Sequence, residues 1–292
     1  MYKYCGDWGV DIARFLQLKV TPPDQFNDPF EFMPVPAGCL NQPDLNQMIA
    51  DETAMHDDFD ILKAQGAPLQ DFESYRRYLQ QLIQSDKFID KLKEEFETIE
   101  APDRCKNLCK EVSESLGLVC FTTKRDNLLM WSHYANGHKG LVIGFDSDHA
   151  FFSERCRLRP VEYSTGEDDR RFVWDFSLNP GDDGYQTMAE RFIVTKSRRW
   201  HYEDEWRMLL ELERLERRLI CDGVLGHFIN FPVDAITEII LGYRCSFDTE
   251  QAVREAMKLH GLSPGDKLLR AEPHATEFKL QFVNVADAPS DS

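Results

Sequence analysis

The sequence predicts an α+β protein, with a mixed or antiparallel sheet core and a helical insert in its N-terminal half. Short apolar runs recur at irregular intervals, at Gly117–Thr123, Gly140–Phe145, Trp206–Leu212, His227–Phe231, Ile236–Leu241 and Glu277–Val283. Isolated helical segments separate them, without the regular strand-helix alternation of a parallel, doubly wound sheet. Upstream, within residues 45–116, Phe72, Tyr75, Leu79, Leu82, Ile83, Phe88, Ile89, Leu92 and Phe96 recur at spacings of mostly three and four, the period of an amphipathic helix.

Taken in order, Met1–Lys19 reads as a short strand and a short helix. Prolines at 22, 23 and 29 then exclude a continuous helix over Val20–Glu31. Asn27 and Asp28 precede Pro29, which favours an Asx-type turn flanked by buried phenylalanines at 26 and 30. That turn is either structural or a means of placing Asn27 and Asp28 at a pocket mouth. The 45–116 insert reads as two or three helices with a charged outer face, and Cys105 and Cys109, four apart on a helix, read as a buried thiol face rather than a ligand pair. The strand at Gly117–Thr123 is followed by a helix that Asp126 caps and Asn136-Gly137 ends, then by the strand at Gly140–Phe145. Gly166–Gly184 reads as a polar, mobile loop, and Thr249–His260 as a helix. No composition shift marks a boundary, so residues 1–285 are expected to form a single domain with a flexible tail at 286–292.

Composition narrows the function. Acidic residues outnumber basic ones by 51 to 34, a net charge of -17, so the molecule as a whole repels nucleic acid and anionic membrane. Lys196–Arg199 is the densest basic run. No apolar run approaches the ~20 residues of a membrane span, and the opening residues lack a signal-peptide core. A cytoplasmic protein without a membrane partner is expected. Eight cysteines without a Cys-x-x-Cys pair suggest neither a metal knuckle nor a disulfide framework. Walker, GxGxxG-helix and HExxH motifs do not occur.

Two segments carry the pointed chemistry. If Trp200–Leu212 contains a strand, period two puts Trp206, Met208, Leu210 and Leu212 on one face, and Glu203, Glu205 and Arg207 on the other. Two carboxylates and a guanidinium then converge. The alternatives are a solvated Glu-x-Glu with an Arg207 salt bridge, or a helix continuing through Leu219 that separates the two glutamates. In the second segment, Trp131, His133, Tyr134 and His138 offer aromatic rings and imidazoles near a glycine-marked turn. The histidines lack further zinc ligands at diagnostic spacing, so no metal is expected. Met130, Trp131 and Tyr134 can pack a helix on the sheet, or Trp131 and Tyr134 can stack on a flat ligand ring.

Tyr2-Lys-Tyr4, Phe26-Asn-Asp-Pro-Phe-Glu31, Cys120-Phe-Thr122, Met130–Ala135 with His138 and Gly140, Lys196 with Trp200, Tyr202–Arg207 and Ile236–Gly242 together resemble a bacterial family catalogued as domain of unknown function 2971. The resemblance spans about residues 2–245 and implies a shared architecture and site. More distantly, the order Lys3-Tyr4, helices, Phe121-Thr-Thr123, Glu203-Asp-Glu205 is similar to that of ADP-ribosyltransferases of the toxin and antiphage type. Those proteins carry a first-strand Arg or His, a Ser-Thr-Ser-like strand and a Glu-x-Glu or lone Glu. Here a lysine and two threonines stand in those first two places.

That similarity implies NAD as substrate, cleaved for macromolecule modification or simple hydrolysis, in bacterial defence or as a toxin. It implies that Glu205 stabilises positive charge on the ribose and that Glu203 orients or deprotonates the acceptor. Thr122 and Thr123 would support the ribose, Lys3 or Arg207 would meet the pyrophosphate, and Trp131 or Tyr134 would stack on a ring. Tyr4, Asn27, Asp28, His133, His138 and Lys196 complete the expected ligand site. The partners implied are the dinucleotide and a protein or nucleic-acid acceptor. Two other classes fit the same residues: a non-catalytic ligand-sensing or protein-interaction module, and a metal-dependent nuclease using Asp28, Glu203 and Glu205.

Overall fold

The computed structural model describes residues 1–37, 52–91, 101–154, 157–165, 171–179, 181–219 and 225–285. The tail expected at 286–292, and parts of the helical insert and of the polar loop, lie outside the described residues. The chain is α+β and divides into two compact units, one of residues 1–31, 110–170 and 194–292, the other of residues 32–109 and 171–193.

The first unit is built on an eight-stranded sheet. Its strands run in the order β15 (Leu280–Asn284), β14 (Leu268–Pro273), β13 (Ile236–Leu241), β5 (Leu141–Phe145), β1 (Tyr2–Cys5), β4 (Leu116–Thr122), β10 (Glu205–Glu211) and β6 (Arg157–Pro160). Every neighbouring pair is antiparallel except β13 with β14. A three-stranded antiparallel sheet of β11 (Glu216–Leu219), β12 (Leu225–Asn230) and β2 (Gln17–Val20) accompanies it, together with a short parallel pair of β7 (Glu162–Tyr163) and β9 (Thr195–Lys196).

Strand alternation decides what each face buries. On β4, Val119 and Phe121 enter the main core; on β10, Met208 and Leu210 do. They meet Leu18 and Val20 of β2, Ile229 of β12, and Val253, Ala256 and Met257 of the helix Phe247–Leu259. Each of these side chains except Ala256 contributes about 1.5–3 kcal/mol on burial. That helix begins two residues earlier than its apolar period indicates, because Ser246 caps it, its hydroxyl accepting the Thr249 N–H at 3.1 Å.

The unit also contains the short helices α1 (Gly9–Phe15) and Leu128–Tyr134, the latter α5 in chain order. The cap of α5 is Asn127, not Asp126: the Asn127 side chain accepts the Leu129 and Met130 N–H groups at 3.0 and 3.3 Å. Its amide also donates to the Tyr202 carbonyl at 2.6 Å, a tie that an aspartate could not make. After α5 the chain turns through Asn136, Gly137 and His138, all at positive φ, and passes so close to β1 that a β-carbon on Gly140 would overlap the Cys5 carbonyl.

The second unit carries helices α2 (Glu52–Ala64) and α3 (Phe72–Leu82), the first part of α4 (Ala101–Ser115), and a parallel pair of β3 (Val35–Ala37) and β8 (Val173–Asp175). Phe59 and Tyr75 are buried between α2 and α3, with ring centroids 5.6 Å apart. Asp71 caps α3 by accepting the Ser74 N–H at 2.7 Å. Cys105 and Cys109 are buried, as their spacing indicates. The expected 166–184 loop is corrected in part: β8 lies within it, and a helix begins at Asp183 and runs to Val194. Trp174 anchors that strand, buried with its ring 5.1 Å from Phe192.

Candidate active site

β1 and β4 are sheet neighbours, yet the register pairs them only at Tyr2 and Thr122. Beyond that pair, Lys3 Nζ donates to the Cys120 carbonyl at 3.0 Å, where a closed ladder would place a backbone N–H. The sheet opens here, and Tyr2, Lys3 and Tyr4 line one cavity with Leu118, Cys120 and Phe121. The cavity holds about 430 Å³. Its remaining lining comes from Thr21, Gln25, Phe26 and Asn27, from Met130, His133 and Tyr134 of α5, and from Lys196, Glu203 and Glu205.

The segment 198–203 is a 3-10 turn, Asp204 is left-handed at φ 45°, and the strand starts at Glu205. The helix alternative through Leu219 is therefore overturned. Glu203 is not on the strand, as the period-two reading had it; the left-handed turn brings it back to the same cavity. Thr123 donates its hydroxyl to Asp204 and so holds the turn in shape.

The solvated-surface alternative also fails, because Glu203, Glu205 and Arg207 are 3%, 5% and 0% exposed. Arg207 donates through Nε to Glu205 Oε1 at 2.8 Å, and through Nη2 to Glu205 Oε2 and to Glu31. Lys196 Nζ donates to Glu203 Oε2 at 2.7 Å and to Glu205 Oε2 at 2.8 Å, and lies 3.6 Å from Glu31. Three carboxylates and two cations thus share a buried cluster with a formal charge of one negative. The Phe26 ring lies over the Arg207 guanidinium, 5.6 Å away.

Burial and pairing pull the charges of this cluster in opposite directions. For Glu205, burial works against ionisation, but Arg207 and Lys196 outweigh it and bring the carboxyl down to about 2. Burial also opposes the charge on Lys196, yet Glu205, Glu31 and Glu203 hold its ammonium well above the ordinary lysine value. Glu31 shifts the other way: burial raises it, and Arg207 and Lys196 only partly compensate.

The Glu205 shift has a definite sign in stability. Relative to the ordinary glutamate value of 4.5, a folded value near 2 means that the unfolded chain takes the proton first. The stability Glu205 contributes is complete above about 4.5 and is lost as the pH falls toward about 2. Glu31, raised when folded, contributes in the opposite sense, favouring the fold below 4.5 and losing that contribution as the pH rises. Urea midpoints measured down this window should fall further for the wild type than for Glu205→Gln. Parallel curves would contradict the assignment.

Cys120 lines the cavity together with Glu205. Burial and the Glu205 charge push the Cys120 thiol far above the ordinary thiol range, which removes the reactive thiolate. We expect Cys120 to resist alkylation near pH 8 in the folded protein and to react once denaturant exposes it. Rapid labelling of Cys120 in the wild type, read by mass spectrometry, would overturn this.

Of the residues singled out from sequence, Lys3, Tyr4, Asn27, His133, Tyr134, Lys196, Glu203 and Glu205 meet at the cavity. The others lie elsewhere. Arg207 stands behind Glu205. Thr122 is fully buried and accepts the Lys124 N–H at 3.1 Å. Asp28 is buried in the expected Asx turn, accepting the Phe30 N–H at 2.9 Å, and does not line the cavity. Phe30, expected to be buried, is 62% exposed. Trp131 is fully buried and donates to the Arg125 carbonyl at 2.9 Å, so its role is packing rather than ring stacking on a ligand. His138 stacks on Trp131 with centroids 5.9 Å apart, and burial and Arg244 lower its pKa. Lys196 is buried in the cluster, so the run to Arg199 does not form one basic patch.

Sequence reading missed Glu31 as a member of the site; the signal available was its place three residues beyond the Asp28 turn. It also missed Tyr163, whose hydroxyl accepts the Glu205 N–H at 2.9 Å. Among the described residues no group of three His, Cys, Asp or Glu side chains is placed to hold a metal ion, and no helix is long and apolar enough to cross a membrane.

The site is thus a half-open cavity between two parted strands, with paired buried carboxylates in its lining. Over residues 130–208 the chain matches the profile of a family described as Protein of unknown function (DUF2971), a stretch that includes Tyr134, Lys196, Glu203, Glu205 and Arg207. No curated protein and no solved structure matches the chain.

Proposed function

We propose that the chain is an NAD-consuming enzyme of the ADP-ribosyltransferase-like kind. It would break the nicotinamide glycosidic bond and pass the ADP-ribosyl group to a macromolecule or to water. One observation carries the reading: the strands bearing Lys3, Thr122 and Glu205 are consecutive in the sheet, and the opening between the first two forms the cavity that Glu203 and Glu205 line. Tyr2 and Phe26 supply aromatic walls, and the volume suits a bound small molecule.

The chemistry follows from charge. As nicotinamide leaves with the glycosidic electron pair, positive charge develops on the ribose, and a carboxylate ionised at every working pH stabilises it. Glu205 has that property. Glu203 receives the proton of the attacking acceptor or water. Lys3, whose ammonium has a carbonyl partner but no carboxylate partner among the described residues, meets the pyrophosphate. The setting, bacterial defence or toxin activity, follows from the resemblance alone.

Incubation with NAD labelled in the nicotinamide ring, with and without cell extract, should release free nicotinamide; label placed in the adenine should then enter ADP-ribose or a macromolecular fraction. No release with any extract would overturn the reading. A second reading is favoured by the saturation of Glu205, whose oxygens already accept from Lys196 and Arg207. In it the cluster is a rigid scaffold and the cavity binds a ligand without turnover.

A further inference from the structure

We infer that Tyr134 is a positioning residue that aims Glu203, rather than a ring against which the ligand stacks. This rests on the reading of Glu203 as the group that receives the acceptor's proton.

The geometry is specific. The Tyr134 hydroxyl donates to Glu203 Oε1 at 2.5 Å, while Lys196 donates to Oε2 at 2.7 Å. Each oxygen of the carboxylate is thus fixed by a different donor on a different element, one on α5 and one on β9. Asn27 lines the same cavity as Tyr134 and Glu203. Glu203 itself sits at the end of a 3-10 turn, before the left-handed Asp204, where the backbone alone allows its side chain several directions.

Without Tyr134, the carboxylate has only the Lys196 ammonium to follow. Its Oε1 would lose the donor that sets its orientation in the cavity. A single carboxylate oxygen remains available to an incoming proton because the phenol, a neutral donor, holds Oε1 without neutralising it. The phenol stays neutral because burial, then the Glu203 charge, hold its ionisation far above the ordinary tyrosine range.

Three variants, Tyr134→Phe, Glu203→Gln and the double, test the inference by two readouts. In NAD cleavage, Tyr134→Phe should lower kcat by about 10–100-fold with KM nearly unchanged, the usual consequence of misplacing a catalytic group. The double variant should be no slower than Glu203→Gln alone, since both changes disable one unit. A raised KM with unchanged kcat would make Tyr134 a ligand wall, and multiplying effects would make it independent of Glu203; either overturns the inference.

The second readout needs no turnover and separates the two claims. In protein labelled at the tyrosine Cζ carbons, the Tyr134 resonance, assigned by its loss in Tyr134→Phe, should resist ionisation in the wild type. It should titrate closer to about pH 10 in Glu203→Gln. If NAD is not cleaved at all but this shift occurs, the enzyme reading fails and the Tyr134–Glu203 clamp stands. If the Tyr134 titration is unmoved by Glu203→Gln, the clamp fails whatever the activity.

Discussion

Replacing Arg207 with methionine is expected to destabilise the fold by about 3–5 kcal/mol, the range for removing one partner of a buried ion pair. The guanidinium is fully buried and serves both Glu205 and Glu31. Without it, three carboxylates would share the Lys196 ammonium in a dry environment, and at least one would have to take up a proton or admit water. That loss is a large share of the ~5–15 kcal/mol by which domains are stable. A second variant separates charge from packing: Arg207→Met combined with Glu31→Gln should recover part of the loss, because it removes the carboxylate that depends most on Arg207. Denaturant midpoints for the single and double variants measure both effects. Equal midpoints for Arg207→Met and the wild type would mean that the cluster is not buried in solution.

Glu205→Gln is expected to slow NAD cleavage by about 10²–10³-fold, the usual scale for removing one electrostatic stabiliser of a transition state. The fold should survive, because Arg207 keeps Glu31 and Lys196 keeps Glu203, two cations against two carboxylates. NAD binding should change little, since the carboxylate acts on charge that develops only as the glycosidic bond breaks. Cleavage at the wild-type rate by a correctly folded Glu205→Gln would remove Glu205 from the chemistry. Weakened binding with an unchanged kcat would make it a ligand contact only.

The alternation along β10 was legible from residue types alone, and it separates Met208 and Leu210 from Glu205 and Arg207 correctly. What it could not carry was burial. The charged face of β10 is dry because Glu31, from far along the chain, and Lys196, nine residues before Glu205, match its charges, and no periodic pattern encodes that match. Glu31 closes a proline-rich loop without periodicity, so beyond its place after the Asp28 turn no pattern marks the residue as a partner of Arg207. Trp131 shows the opposite problem. A tryptophan serves equally as packing or as a stacking surface, and the choice is made by Asn127, whose bond to the Tyr202 carbonyl fixes where α5 begins. The strands of two to four residues at 157–163, 173–175 and 195–196 are too short for a period to emerge. The opening between β1 and β4 is likewise a property of pairing, visible only once the two strands are placed side by side.

The most direct test is a crystal structure of Glu205→Gln grown with saturating NAD, in which slowed cleavage preserves the substrate. The account predicts the nicotinamide ribose in the cavity between β1 and β4, with a ribose hydroxyl within hydrogen-bonding reach of the residue 205 side chain and phosphate near Lys3. An empty cavity, or NAD bound with its ribose away from residue 205, would contradict it.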